Sequence, residues 1–493
     1  MAIGNSVLSG VEPAAFWRRF DELTTIARPS RREEQVIEWV QRWADGRGLE
    51  RSADAARNMV IRVPASAGRE AAPTIVLQGH LDMVCERDPG SPNDPTEGRI
   101  VLLRDGEWLT ADGTTLGADD GVAIAAMMTL AEDSSLSHGP LELLMTVAEE
   151  VGLEGANGLD PALLTGKILL NLDSEEDGTL TVGCAGSTDS WIRLEGERSP
   201  ADAGSVALAV TASGVLGGHS GTNIEDGRAN AIKVLASALR EALGAAGFRL
   251  ASLNGGKSRN AIPREARAVC VVAAADEATF RSAVAAAAKR LHEAFEVSDP
   301  GITLVVDAAD GAPEPWSAEA TAKLLDAIAL VPSGPLAMSP DVPGLVETSS
   351  SLGEAITDNG SLTLHSLSRS SNDAYLPEVI SALDAIARRA GGSFELKHNY
   401  PGWRPDMSSS LLASARRVFT QLFDAEPRVV GIHAGLETAV IGDKVPGLDM
   451  LAIGPQIEFP HSPDERVSVP TVERFWRLLL GILDDLSKPG TGT

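Results

Sequence analysis

Apolar positions along the chain recur with two periods. Residues 14–44 carry the helical one: Phe16, Phe20 and Leu23 share a face, as do Val36, Ile37 and Val40. Ser30 followed by Glu33 predicts a capping box at the start of the second helix. Elsewhere short, nearly continuous apolar runs end in acid: TIVLQGHLD (74–82), LELLMTVAEE (141–150), KILLNLDSEEDG (167–178) and LDMLAIGPQIEFPHSPDERV (448–467). The stretch GADDGVAIAAMMTLAED (117–133) reads as a loop entering a helix, and 471–486 as a terminal helix. Continuous apolar strands alternating with helices imply an α/β fold with a mostly parallel central sheet.

The middle of the chain reads differently. Residues 205–213, 229–243, 264–274 and 278–295 suggest a β-α-β-β-α-like unit, and 301–309, 317–331, 361–370 and 376–391 form a second set. Two α+β halves in tandem are therefore expected. Acid-ended strands lie on both sides of this block, so it is read as an insertion. The expected layout is a first domain over 1–186, an inserted α+β domain over 187–393, doubled according to its two sets, and the return of the first domain over 394–493. The Gly/Asp-rich turns near 177–187 and the pair Gly391-Gly392 mark the borders.

A chain of 493 residues exceeds one ordinary domain, and 43% hydrophobic residues suffice for large cores. The net charge of −27 speaks against a nucleic-acid partner and leaves cations open. The three cysteines, Cys85, Cys184 and Cys270, are odd in number and far apart, which fits a reducing cytoplasm better than a disulfide framework. The first twenty residues lack a basic stretch followed by an apolar one, so no signal peptide is expected. No apolar run has membrane-spanning length, so no membrane association is expected.

His80 and Asp82 end one strand, Glu149 and Glu150 another, and Asp173 a third; Asp119 precedes a helix, and His461 lies in the loop after a fourth strand. Singly, such residues are ordinarily caps or turn formers. Jointly they change the picture, because ligands bind at the carboxyl edge of an open α/β sheet. Imidazoles and carboxylates gathered there, without Lys or Arg to neutralise them, fit divalent cations. Adjacent glutamates on a strand end point different ways. One can hold a cation while the other takes a proton from water that the cations acidify. Gly152 and Gly155 then let the chain turn away.

The segments GHLDMV (79–84), LGADDGVA (116–123), AEEVGLEGA (148–156), LDSEEDG (172–178) and HSPDERV (461–467) together resemble the M20 metallopeptidases, a family with two co-catalytic zinc ions. NAIPREA (260–266), YPGWRPD (400–406) and HAGLE (433–437) are similar to its aminoacyl-histidine dipeptidase branch. The resemblance implies a di-zinc-peptidase-like catalytic domain interrupted by a lid. It implies that Asp119 bridges two metals, with His80 and Asp173 completing one shell and Glu150 and His461 the other. Asp82 would orient His80, and Glu149 would act as general base. His219 would assist the transition state from the lid, Asn260 and Arg369 would bind the substrate carboxylate, Glu437 its free amine, and Gly435 would let the backbone approach the ligand. His365 and His433 receive no role.

The pattern is departed from at Asp120, where Asn is expected, and at the bulky Phe459 and Pro460 before His461. NGGKS (254–258) lacks the first glycine of a phosphate loop, and GHSGT (218–222) the last glycine of a nucleophile elbow. The expected function is cytoplasmic hydrolysis of unblocked dipeptides, Xaa-His of the β-Ala-His type preferred. Two divalent ions are expected, zinc favoured over cobalt or manganese, with lid closure during turnover and a homodimer as the expected assembly. The rivals are an M20 deacylase acting on N-acyl amino acids and a non-catalytic metal-binding protein.

Overall fold

The computed structural model describes residues 6–488 and divides into two units, each with its own core. The first comprises residues 1–183, 405–431 and 436–493. Its main sheet has eight strands in the order Glu50–Ala53, Met59–Val63, Leu141–Thr146, Ile75–His80, Ile168–Asn171, Asp449–Ala452, Thr179–Cys184 and Arg428–Ile432. The centre is parallel: 141–146 pairs with 75–80, 75–80 with 168–171, and 168–171 with 449–452. The 50–53, 59–63 and 141–146 strands pair antiparallel, so the parallel character belongs to the middle of the sheet. Strands 75–80 and 141–146 are buried along their whole length, which explains why their sequences are continuous rather than alternating.

Helix Ala118–Glu132 is buried on every side through Leu130, as its apolar run from Val122 to Met128 requires. It packs on the 75–80 strand and on helix Ala14–Leu23. The capping box foreseen for helix Glu34–Asp45 is not formed. Ser30 Oγ instead donates to Asp82 Oδ2 at 2.7 Å, and Glu33 Oε1 accepts from the N–H of Ala148 at 3.0 Å and of Arg31 at 2.7 Å. Both side chains serve the strand ends, where buried partners outcompete a local cap.

The second unit comprises residues 184–404 and 432–435. Its sheet runs Thr303–Ala308, Ser205–Ser213, Ala266–Ala273, Phe248–Gly255, Val346–Asp358, Ser361–Ser370, Gly186–Leu194 and Ser393–Tyr400, with Gly334–Met338 added beside 346–358. The two sets of strands join at one register pair, Gly255 with Ala355. A close approach fixes that junction, since a Cβ on Gly256 would lie 1.9 Å from the Gly353 carbonyl oxygen. Strand 393–400 pairs with 186–194, so the sheet continues past residue 393, the border read from the sequence. Residues 432–435 also belong to this unit, a short return that no compositional shift marks.

Candidate active site

Three neighbouring parallel strands of the first unit end on the same sheet edge. His80 closes strand 75–80, Glu149 and Glu150 follow 141–146, and Asp173 follows 168–171. Asp119 sits at the start of helix 118–132, where Asp119 and Asp120 leave helical geometry. His461 lies in the loop before strand Arg466–Ser468, with φ of 62°.

The side chains meet through Asp119. Its Oδ1 is 2.9 Å from His80 Nε2, and its Oδ2 is 3.1 Å from His461 Nε2. His80 Nε2 is also 3.6 Å from Asp173 Oδ1, and His461 Nε2 is 2.9 Å from Glu150 Oε2. Among the described residues, two sets of donor atoms each gather within 4.8 Å: His80, Asp119 and Asp173, and Asp119, Glu150 and His461. A third set joins His80 with Glu149 and Glu150. Glu150 keeps Oε1 buried with no hydrogen-bond partner. Imidazole and carboxylate donors in two triads sharing one carboxylate fit a pair of first-row divalent ions.

The electrostatics agree with that fit. Burial pushes Asp173 up to about 7 and Glu149 well above the carboxylate range, the latter with further repulsion from neighbouring acids. Hydrogen bonds to Asp119 and Glu150 push His461 up to about 11. Burial would lower His80, but the acids around it hold its proton well above the usual imidazole range. The cluster has an excess of buried negative charge that binds protons tightly and would bind cations in their place.

Buried groups aim these ligands. Asp82 accepts from the backbone N–H of Glu149 at 3.1 Å and of Glu150 at 3.3 Å, and its Oδ1 is 3.5 Å from His80 Nδ1. Burial opposes its charge, yet these bonds and His80 hold Asp82 down at about 2. Asp120 accepts from His80 N at 3.1 Å and Ala123 N at 3.3 Å. Its Oδ2 would be 2.4 Å from a Cβ on Gly79, so the strand needs glycine there. Arg28, 2% exposed, donates to the carbonyls of Leu81, Asp82 and Gly117. Glu465 accepts from the N–H groups of Leu116 at 2.8 Å, Gly117 at 2.9 Å and Ala118 at 2.7 Å.

Glu465 thus clamps the turn that delivers Asp119. Sequence reading missed it, although it lies inside the HSPDERV segment. Nothing local distinguishes it from a surface acid, because its partners are about 350 residues away. Replacing Glu465 with Ala should weaken metal binding roughly 10–100-fold, the usual cost of losing an outer partner. Competition with a chromophoric chelator measures it, and unchanged affinity would count against the clamp.

Glu437 is fully buried at the start of helix Glu437–Lys444. Its Oε2 accepts from Gln78 Nε2 at 2.7 Å and Thr146 Oγ1 at 2.6 Å, while Oε1 is buried without a partner. Burial pushes it up to about 7. The remaining residues singled out in the sequence lie in the second unit. His219 Nε2 is 3.4 Å from Arg369 Nη2, and Arg369 Nη1 donates to Tyr400 Oη at 3.2 Å. Asn260 accepts Ser258 Oγ on its side chain at 2.6 Å and Ser220 N on its carbonyl at 2.8 Å. Gly435 lies against the Tyr400 ring. His433 Nε2 is 2.7 Å from Ser349 Oγ; His365 stacks on Trp191 with Nδ1 3.1 Å from Glu354.

A model of the peptidase family M20/M25/M40 matches residues 76–485. The chain belongs to this family. It is a hydrolase with the M20 peptidase fold, mixed α/β with several sheets. It is 37% identical over 481 residues to the cytosol non-specific dipeptidase of Escherichia coli, an alignment covering 98% of this chain and 99% of that one. The crystal structure of an aminoacylhistidine dipeptidase from Vibrio alginolyticus superposes with a TM-score of 0.90 at 35% identity, covering 98% and 99% of the two chains. A tripeptidase from Staphylococcus aureus shares the fold at 16% identity, with a TM-score of 0.55 over 97% and 99%. Among the described residues no helix is long and apolar enough to cross a membrane.

Proposed function

We propose that this chain is a dinuclear metallodipeptidase that hydrolyses unblocked dipeptides in the cytoplasm, Xaa-His of the β-Ala-His type being preferred. The observation that carries the reading is Asp119, whose two oxygens face two different imidazoles. His80, Asp119 and Asp173 would hold one ion, and Asp119, Glu150 and His461 the other. Bound divalent ions, zinc before cobalt or manganese, supply Lewis acidity that polarises a carbonyl and acidifies water. The relatives support the substrate class, since one is a non-specific dipeptidase and another an aminoacylhistidine dipeptidase.

In this reading Glu149 takes the proton of the attacking water on a carboxylate oxygen and passes it to the leaving amine. Asp82 holds His80 in position. His219 donates to the developing oxyanion. Arg369 and Asn260 receive the substrate carboxylate, Gly435 leaves room for the ligand, and the unpartnered Oε1 of Glu437 takes the free amine. A homodimer belongs to the same proposal.

A panel assay tests the reading. Protein stripped with chelator should be inactive, and zinc should restore turnover of Ala-His and β-Ala-His well above that of N-acetyl amino acids. Faster cleavage of the acetyl compounds would identify a deacylase instead. Metal-loaded protein that cleaved nothing in the panel would be a non-catalytic metal binder.

A further inference from the structure

Two groups of the second unit, His219 and Tyr400, lie against the guanidinium of Arg369. His219 Nδ1 accepts from the backbone N–H of Gly221 at 3.3 Å and of Thr222 at 3.2 Å. A ring nitrogen that accepts carries no proton, so the neutral imidazole bears its hydrogen on Nε2. Burial, with the charge of Arg369, lowers His219 to about 4 and keeps it neutral. Nε2–H therefore lies 3.4 Å from Arg369 Nη2, a group that can only donate. Two donors do not bond each other, so each needs an acceptor from outside the pair.

Tyr400 is the other group. Arg369 Nη1 donates to its oxygen at 3.2 Å, which leaves the hydroxyl hydrogen to donate elsewhere. The sheet builds this contact. Tyr400 stands opposite Ser187, Ser187 opposite Arg369, and Arg369 opposite Ser349, so the row lies on one face. Tyr400 and Arg369 are two strand spacings apart, roughly 10 Å at the backbone, a gap that only long side chains bridge. Gly435 gives the phenol its place, since a Cβ there would lie 2.7 Å from Tyr400 Oη. Arg369 is 4% exposed, its Nε is buried without a partner, and the groups at its Nη atoms are a phenol and a neutral imidazole. A buried guanidinium with neutral neighbours calls for an anion.

We infer that Tyr400 is a substrate-binding residue, its hydroxyl donating to the C-terminal carboxylate of the dipeptide beside Arg369. The inference rests on the dipeptidase reading above. The oxyanion that develops on a scissile carbonyl has the same acceptor chemistry, and kinetics separate the two. Tyr400→Phe keeps the ring against Gly435 and removes only the donor. KM for free dipeptides should rise roughly tenfold or more, the effect of losing one bond to a charged group. kcat should stay within about twofold, since binding lost equally from ground and transition states raises KM alone.

On dipeptide C-terminal amides, read as inhibition constants where turnover is slow, the variant and the parent should be alike. An unchanged KM would overturn the inference. So would a kcat loss that persisted on the amides, which would assign the hydroxyl to the developing oxyanion. Preferred cleavage of N-acetyl amino acids would refute the dipeptidase reading and still test Tyr400, because those substrates carry the same carboxylate.

Discussion

Replacing Glu149 with Gln should leave a protein that fills its metal site and barely turns over. The amide keeps the size and shape of the side chain and one acceptor oxygen but cannot take a proton at neutral pH. Removing a positioned general base costs about 10²–10⁴-fold in rate. Glu149 is tied to its place through the backbone, by its N–H to Asp82 Oδ1 at 3.1 Å, and that bond survives the substitution. Burial holds its carboxyl proton well above the usual range, His80 opposes this, and the neighbouring acids Asp173, Glu437 and Glu150 add to it. Elemental analysis beside steady-state kinetics is the check. Near-normal turnover would remove Glu149 as the base, and loss of metal would make it a ligand.

Asp119→Ala should empty the site. One substitution removes an oxygen from each triad, so both ions lose a ligand and the connection between them. The loss should exceed the roughly 10–100-fold that outer partners cost. Asp120→Asn is the matched control: it keeps an acceptor for one of the two backbone N–H groups, His80 N or Ala123 N, and leaves both triads whole. Metal content after dialysis separates the two variants. Full occupancy in Asp119→Ala would exclude a bridging role.

The strand ends were legible because a continuous apolar run stopping at His, Asp or Glu is a local pattern, and topology then gathers such ends on one edge. Helix 118–132 was legible for the same reason. The supports were not. Arg28, Gln78 and Glu465 act on residues far along the chain, and their neighbours in sequence resemble ordinary structure. Ser30 and Glu33 carried a misleading local signal: the spacing of a capping box is present, but buried groups at Asp82 and Ala148 claim both side chains. Tyr400 stood in a segment noted only for its likeness to a family, and its partnership with Arg369 depends on strand order across the second sheet. Register at that distance is set by tertiary pairing, which periodicity does not encode.

The central claim is that His80, Asp119, Glu150, Asp173 and His461 together hold two cations. Anomalous diffraction at the zinc edge from crystals of the zinc-loaded protein measures this most directly. The account predicts two peaks about 3.5–4 Å apart, one on each side of the Asp119 carboxylate. No peak among these five side chains, or ions bound only elsewhere, would contradict it.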